Sequence, residues 1–434
     1  MTSSNFPSLI DALYRLERRG IKLGLEHTSA LLKSIENPHN ELKFIHVAGT
    51  NGKGSTCAMI ANILRSTGKN VGLFTSPHLV RFNERIRVNG NPISDDKIIH
   101  FMEKANPHIE KIESTFFEAT TAMAFDHFRN QKVDIAIIET GLGGRLDSTN
   151  VINPHLTVIT PISMDHMDIL GQDLNTIAKE KAGIIKKNVP LVISNQLPSV
   201  QKILVENAQG KNASIISLDS VLNIVVNEQG TTFRYKEKNY FTSLIGKHQA
   251  LNAALAIEAV TRFTSDVNVD FLQQGLKSVF WPGRIQKIGT RLFYDVAHNE
   301  DGLEILLNTI QSIYPGKRMV GLFCLKGDKE FDRIVHKING RFSQLYVTND
   351  ETELLLDKNK LSQRLMNYGI KNQTTISVYA GFNKIRTDVN RGNVGLISGS
   401  HYIANEVFRA SQISFDKGII KCNFPSLQCP RGDL

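Results

Sequence analysis

The chain has 434 residues, 41% hydrophobic and 21% charged, and 51 basic against 42 acidic side chains give it a formal net charge of +9. That length exceeds one core and predicts two or three domains, in a composition ordinary for a water-soluble globular protein. No apolar run approaches the roughly 20 residues that span a bilayer, and the basic residues are scattered rather than gathered into an arm, so membrane and nucleic-acid partners are not expected and the positive field suits small anions.

The N-terminal MTSSNFPSLIDALYRL has no basic segment followed by an apolar one, so no secretory signal is read there. Cys57, Cys324, Cys422 and Cys429 are the only cysteines, the last two separated by six residues in the tail. Neither a disulfide framework nor zinc spacing follows, which suits a reducing cytoplasm.

Residues 8–35 read as one or two amphipathic helices, broken near Arg19-Gly20. The run IHVA that follows is a candidate buried strand. It leads into Gly49–Thr56, GTNGKGST, and then a helical pattern whose apolar face is Cys57, Ala58, Ile60, Ala61 and Leu64. Strand, glycine turn and helix in that order make a phosphate cradle. Glycines let backbone N–H groups approach an anion, and the helix N-terminus adds free donors and a positive dipole end. Lys53 would bridge the outer phosphates, and Ser55 or Thr56 would face a metal or a phosphate. A glycine between Lys53 and Ser55 departs from the strict G-x-x-x-x-G-K-S/T spacing. Taken alone, the loop leaves a nucleotide site and an ordinary glycine turn both open.

Asn70–Thr75 is a second strand, ending at Ser76-Pro77-His78; functional loops of doubly wound sheets sit at such carboxyl ends. The charged alternation of Phe82–Gly90, FNERIRVNG, reads as a solvated hairpin. Helices follow at Asp95–Glu113 and Phe116–Asn130. Val133–Thr140 is a near-continuous apolar strand ending in Glu139, an acid that must be paired or hold a metal if buried. Leu156–Thr160 is another strand, with Asp165-His166 beyond it. Asp173–Lys186 is helical and carries Lys181, Val189–Ser194 is a strand, and Ser214–Leu244 has the short alternation of hairpins at a sheet edge. His248–Phe263 is an Ala-rich helix, and Trp281-Pro282-Gly283-Arg284 marks a domain boundary. Beyond it come strands at Arg291–Val296, Val320–Leu325, Ser343–Val347, Ile376–Tyr379 and Val394–Ser398. They are interleaved with helices from Asp301, from Phe331, over Thr352–Tyr368 and from Tyr402. This alternation predicts parallel sheets in both domains. No internal repeat or low-complexity stretch is present.

AGTNGKGST closely resembles the phosphate loop of the folylpolyglutamate synthase/dihydrofolate synthase family, relatives of the Mur peptide ligases. Further blocks carry the resemblance in the family's order: LGLE (Leu23–Glu26), TSPHL and FNERIRVNG, TFFEATTAMAF (Thr115–Phe125), ETGLGGRLDSTN (Glu139–Asn150), Asp165-His166, EKAGI (Glu180–Ile184), HQALNAALAI (His248–Ile257), PGR, DVAHN (Asp295–Asn299) and Gly399-Ser400. The fold this implies is α/β: a P-loop-containing, Mur-ligase-like ATPase domain over 1–284, a smaller Rossmann-like C-terminal domain over 285–412, and a tail at 413–434.

The resemblance also assigns roles. Thr50, Asn51, Gly52, Lys53, Gly54 and Ser55, with Asn252, Arg284 and Asp295, would bind ATP between the domains; His298 and Asn299 match positions nearby. Ser76, Glu139 and His166 match residues that hold magnesium in the family. Hydroxyl and carboxylate oxygens suit Mg²⁺, whereas an imidazole suits softer ions such as Mn²⁺ and by itself reads as a core or second-layer histidine. Lys181 alone reads as a surface helix lysine. In the family the matching lysine is carbamylated and would help hold a second metal ion. Thr115, Phe116, Phe117 and Glu118, with Arg145, Leu146, Asp147 and Ser148, match pterin contacts. The plain alternatives are a helix-face core for the phenylalanines and an Arg145–Asp147 ion pair.

The activity implied is an ATP-dependent ligation of L-glutamate onto 7,8-dihydropteroate and onto reduced folates through an acyl phosphate, with Lys53, Lys181 and His298 as catalytic residues, in a cytoplasmic monomer. A monofunctional folylpolyglutamate synthase, a Mur-type ligase acting on a cell-wall precursor and a non-catalytic nucleotide-binding module are the alternatives. Two segments depart from the family: GLFCLKGDKEF (Gly321–Phe331) stands where G-x-L-x-D-K-D is usual, and VTNDETEL (Val347–Leu354) lacks a Pro-Arg element.

Overall fold

The computed structural model describes residues 6–20, 22, 24–327, 331–350 and 354–412. The expected tail from 413 onward, with Cys422 and Cys429, and parts of both departing segments lie outside these residues. The chain divides into two compact units: Met1–Ser220 with Leu251–Val279, and Val221–Ala250 with Phe280–Leu434. No helix among the described residues is long and apolar enough to cross a membrane.

The first unit is built on eight strands: β1 (Phe44–Ala48), β2 (Val71–Phe74), β3 (Ile86–Val88), β4 (Asn91–Pro92), β5 (Ile135–Glu139), β6 (Leu156–Ile159), β7 (Leu191–Ile193) and β8 (Ile215–Ser217). Their order is β4-β3-β2-β5-β1-β6-β7-β8. The six from β2 to β8 run parallel, and β3 and β4 extend the β2 edge as an antiparallel hairpin. Every residue of β1, β2, β5, β6 and β7 is buried. That explains why these strands appear in the sequence as near-continuous apolar runs rather than alternations. Phe44, Phe74 and Ile138 share a core with Leu31, Phe101, Phe125 and Phe128 from the helices Glu26–Ser34, Asp95–Ile112 and Phe116–Asn130. A second core joins Ile159, Leu191 and Ile193 to the helices Leu174–Ala182 and Pro198–Gly210. The helix Lys53–Ser66 packs closely on Val269–Ser278: a Cβ at Gly275 would lie 2.5 Å from the Ile63 Cα, and the Asn62 amide donates to the Gly275 carbonyl at 2.6 Å.

The second unit has a three-stranded antiparallel sheet, β9 (Leu222–Asn227), β10 (Gly230–Tyr235) and β11 (Lys238–Thr242), and a six-stranded sheet. The strands of the latter are β12 (Gln286–Gly289), β13 (Leu292–Tyr294), β14 (Met319–Phe323), β15 (Gln344–Val347), β16 (Gln373–Thr374) and β17 (Val394–Ser398), in the order β12-β13-β17-β14-β15-β16. All but β12 pair in parallel. Phe293, Phe323, Val347 and Leu396 pack against Leu303, Leu306 and Ile310 of the helix Glu300–Ile313 and against Ile334 and Leu361.

Four local expectations need correction. The run 214–244 is not one set of hairpins at a sheet edge, because Ile215–Ser217 adds a parallel strand to the large sheet and the three hairpin strands form their own. Ile376–Tyr379 is not a strand. Ser377 caps a helix over Val378–Asn390 by accepting the Ala380 amide at 3.1 Å, and Ile376 is 88% exposed. The helix expected over Thr352–Tyr368 spans Lys358–Asn367, where Asp357 accepts the amides of Asn359 and Lys360. The FNERIRVNG hairpin forms but is not solvated, since Glu84, Arg85 and Arg87 are all buried. The Glu84 carboxylate takes the amides of Leu79, Val80 and Arg81, which satisfies the buried charge.

Candidate active site

Parallel strands bring their carboxyl ends to one edge of the sheet, and the loops after β1, β2, β5 and β6 meet there. The phosphate loop is tied to the segment after β6. The Thr50 amide donates to the Pro161 carbonyl at 2.9 Å, the Thr50 hydroxyl donates to the Ser163 carbonyl at 3.0 Å, and Asn51 Nδ2 donates to the Ser163 hydroxyl at 3.1 Å. Two glycines are required by geometry. Gly49 has φ +146° and a Cβ there would lie 1.9 Å from the Thr160 hydroxyl; Gly52 has φ +89° and a Cβ there would lie 2.6 Å from Asn252 Oδ1. Asn252 thus abuts the turn. The N-cap of the helix Lys53–Ser66 is Gly52, which has no side chain to compete with an anion at the helix N-terminus. Gly54 and Ser55 are buried in its first turn.

Two lysines converge on the same loop oxygen. Lys53 Nζ donates to the carbonyls of Gly49 at 3.1 Å and Thr50 at 3.2 Å, and Lys181 Nζ donates to the Gly49 carbonyl at 2.8 Å. Lys181 is not a surface lysine; it is 4% exposed. Burial, reinforced by the Lys53 charge and opposed by Asp165 and Asp147, pushes its ammonium down to about 7.

The carboxyl ends of β2 and β5 bring Ser76 and Glu139 together, with the Ser76 amide donating to Glu139 Oε2 at 3.2 Å. Glu139 is buried. His166 has a left-handed backbone and a half-exposed ring, with Nε2 3.8 Å from Asp165 Oδ2. Among the described residues no three His, Cys, Asp or Glu side chains gather as a metal cluster; the expected ligand set contains only two such residues, beside Ser76 and Lys181.

The expected pterin residues divide by role. Thr115 and Glu118 form a capping box: the Thr115 amide donates to Glu118 at 2.6 Å and the Glu118 amide to the Thr115 hydroxyl at 3.3 Å. Phe116 is buried in an aromatic cluster, stacked on Tyr14 at 5.8 Å and edge-on to Phe82 at 5.8 Å. Phe117 is only partly buried and lies against the loop after β5, where a Cβ on Gly141 would meet its ring at 2.4 Å. Arg145 pairs with Glu180 at 2.9 Å rather than with Asp147. Asp147 is buried, and its carboxylate accepts the amides of Leu142 at 2.8 Å and Thr149 at 3.0 Å as well as the Thr149 hydroxyl. Burial raises its pKa, against the lowering effect of these bonds. Leu146 is partly exposed and Ser148 is buried at the start of a short turn.

In the second unit, Asp295 accepts the amides of Ile285 and Ala297, each at 2.7 Å; burial raises its pKa and the Arg284 charge opposes that. Asn299 caps the helix Glu300–Ile313. His298 Nδ1 lies 2.9 Å from the Val296 carbonyl. A carbonyl only accepts, so the proton of the neutral ring sits on Nδ1 and Nε2 is its basic nitrogen. The residues expected around the nucleotide therefore fall into two groups, Thr50–Ser55 with Asn252 in the first unit and Arg284, Asp295 and His298 in the second.

Thr160 and Ser163, which hold the loop after β1, are not marked by any motif in the sequence, although they lie at and just beyond a strand end as Ser76 and Glu139 do. Nor does the charged pattern of FNERIRVNG single out Arg85, whose Nε donates to His78 Nδ1 at 2.9 Å and whose guanidinium lies 5.1 Å over the Phe116 ring.

Residues 47–260 match the Mur ligase middle domain and residues 283–401 the Mur ligase glutamate ligase domain. The dihydrofolate synthase/folylpolyglutamate synthase of Bacillus subtilis is 39% identical over 341 residues, covering 74% of this chain and 79% of that one. The Escherichia coli enzyme of the same name is 30% identical over 341 residues, covering 76% and 78%. The Mycobacterium tuberculosis folylpolyglutamate synthase, solved with ADP and AMPPCP, superposes with a TM-score of 0.88 at 30% identity, over 95% of this chain and 100% of that one. Escherichia coli FolC in complex with DHPP and ADP gives 0.83 at 28% identity, over 92% and 96%. The chain belongs to the dihydrofolate synthase/folylpolyglutamate synthase family of Mur-type ligases.

Proposed function

We propose that this protein is an ATP-dependent ligase that adds L-glutamate to 7,8-dihydropteroate and to reduced folates. The observation that carries this is the glycine cradle with Lys53 and the buried Lys181 both on the Gly49 carbonyl, beside the paired Ser76 and Glu139. The substrate carboxylate attacks the γ-phosphorus of ATP. An acyl O–P bond forms, the bond to the β-phosphate breaks, and ADP leaves. The amine of L-glutamate then attacks the acyl carbon, forming the amide as inorganic phosphate departs. Such transfer needs positioning and charge neutralisation more than covalent help from the protein. The loop amides and Lys53 hold and neutralise the phosphates. His298 Nε2, whose basicity follows from the Nδ1–H bond to Val296, takes the proton of the attacking amine.

The donor set fits a hard divalent cation. Ser76 and Glu139 offer oxygen at adjoining strand ends, with His166 as a further ligand in the manner of Mg²⁺ or Mn²⁺ sites. Bound there, the cation would neutralise charge on the phosphate oxygens. Lys181, with its pKa near 7, presents the neutral amine that carbamylation requires, and the resulting carbamate would serve a second cation. Of the pterin residues, Phe117 and the Asp147 loop form the substrate side, and Thr115 and Glu118 act by capping. The protein acts as a monomer in the cytoplasm.

Complementation tests the first activity. Expression in a strain lacking dihydrofolate synthase restores growth without supplied folate end products. Failure to do so, with the protein present and folded, removes dihydrofolate synthesis and leaves the polyglutamylating reaction alone.

A further inference from the structure

His46 lies at the centre of the large sheet, on β1, fully buried and only three residues before Gly49. Its Nε2 is 2.9 Å from the Thr149 hydroxyl, across 103 residues of chain. Thr149 is itself fully buried and donates that hydroxyl to Asp147 Oδ1, an oxygen that also accepts the Thr149 amide at 3.0 Å. The other carboxylate oxygen accepts the Leu142 amide at 2.8 Å. The direction of each bond follows from these partners. A hydroxyl has one proton, and that of Thr149 goes to the carboxylate. The Thr149 oxygen must therefore accept from His46, whose proton sits on Nε2, while Nδ1 has no partner among the described residues. A second proton on the ring would be buried without an acceptor, so the ring is neutral and cannot relay protons. What it can do is hold Thr149, and through it the Asp147 side chain and the loop between Leu142 and Thr149.

We propose that His46 is a positioning residue for the substrate loop. The strand that delivers the phosphate loop also fixes, through Thr149, the orientation of Asp147 and the shape of the loop that faces the pterin. This rests on the assignment of that loop to the substrate side. It predicts that the loop depends on a side chain which touches no substrate.

Full-length wild type, His46→Leu, His46→Gln and Thr149→Val are compared, varying 7,8-dihydropteroate (or tetrahydrofolate) and ATP in turn and measuring ADP release. Loss of the hydrogen bond in His46→Leu raises KM for the pterin substrate by about tenfold, and KM for ATP stays within about twofold. His46→Gln, which can place its amide N–H near the position of Nε2, recovers most of the loss. Thr149→Val, which also removes the hydroxyl bonded to Asp147, raises it at least as much as His46→Leu, and the double variant adds little to Thr149→Val, because both break one chain of bonds. Equal changes in both KM values, or no recovery by Gln in a folded protein, overturn the proposal. Hydrogen exchange separates it from the ligase assignment. The Leu142 and Thr149 amides exchange at least about tenfold faster in His46→Leu, while amides of the helix Lys53–Ser66 are unchanged. Unchanged exchange at Leu142 and Thr149 refutes the positioning role whatever the substrate. A wild type inactive on both pterins refutes the substrate assignment alone.

Discussion

Replacing His46 by glutamine should change how stability depends on pH. The imidazole is fully buried between parallel strands, and desolvation, with a smaller contribution from Lys186, pushes it down to about 3 from an ordinary value near 6.5. A histidine held neutral in the fold must take up a proton once unfolded. The unfolded chain therefore binds more protons between about pH 6.5 and pH 3, and stability falls as pH is lowered through that window. Between pH 7.5 and pH 5.0 the unfolded imidazole gains its proton and the folded one does not, which is roughly 1.5 pH units and about 2 kcal/mol at 1.36 kcal/mol per unit. Glutamine does not titrate. The assay is urea unfolding of wild type and His46→Gln at both pH values, followed by far-UV circular dichroism; subtracting one protein from the other cancels the remaining groups. Wild type should lose about 2 kcal/mol more than His46→Gln on acidification. Equal losses would refute a neutral, buried His46 and the bond direction inferred from it.

Lys53→Ala and Glu139→Ala should each lower ADP release by at least about 10³-fold, because electrostatic stabilisation of the transferring phosphoryl group is lost, while circular dichroism spectra match wild type; near-normal turnover in both would remove the site assignment. Gly52→Ala forces a Cβ to 2.6 Å from Asn252 Oδ1 at φ +89°, and should raise KM for ATP by about tenfold or more through a strain of roughly 1–3 kcal/mol. Chelation with EDTA should abolish ADP release, and added Mg²⁺ or Mn²⁺ should restore it, as an oxygen-rich site requires. Arg145→Ala should leave the unfolding free energy within about 0.5 kcal/mol, since the Arg145 side chain is itself exposed and solvent screens its pair with Glu180; a larger loss would give Arg145 a structural role.

Where burial is decided locally, the sequence could be read directly. β1, β2, β5 and β6 are near-continuous apolar runs because helices cover both faces, broken only by His46 and Thr157 and closed by Glu139, and the helical pattern of Phe116–Asn130 holds from a Thr115…Glu118 capping box onward. The phosphate loop was legible for the same reason, since glycine spacing after a strand is a local signal. Errors arose where long-range packing overrides the local pattern. Ile376 to Tyr379 is β-branched and aromatic enough to suggest a strand, yet Ser377 caps a helix there and leaves Ile376 in solvent. FNERIRVNG has the charge of an exposed hairpin, but the amides of Leu79 to Arg81 fold back onto Glu84 and allow it to be buried. Lys181 lies in an ordinary helical sequence, and only the approach of Gly49, 132 positions away, reveals a buried amine. His46, Thr149 and Asp147 belong to a network that periodicity cannot show, because its first bond joins residues 103 apart.

The most direct test of the account is ADP release by the purified full-length protein with ATP, Mg²⁺ and L-glutamate, comparing 7,8-dihydropteroate with tetrahydrofolate. Glutamate-dependent release is expected with both. Release with tetrahydrofolate alone would contradict dihydrofolate synthesis, and release with neither would contradict the substrate assignment as a whole.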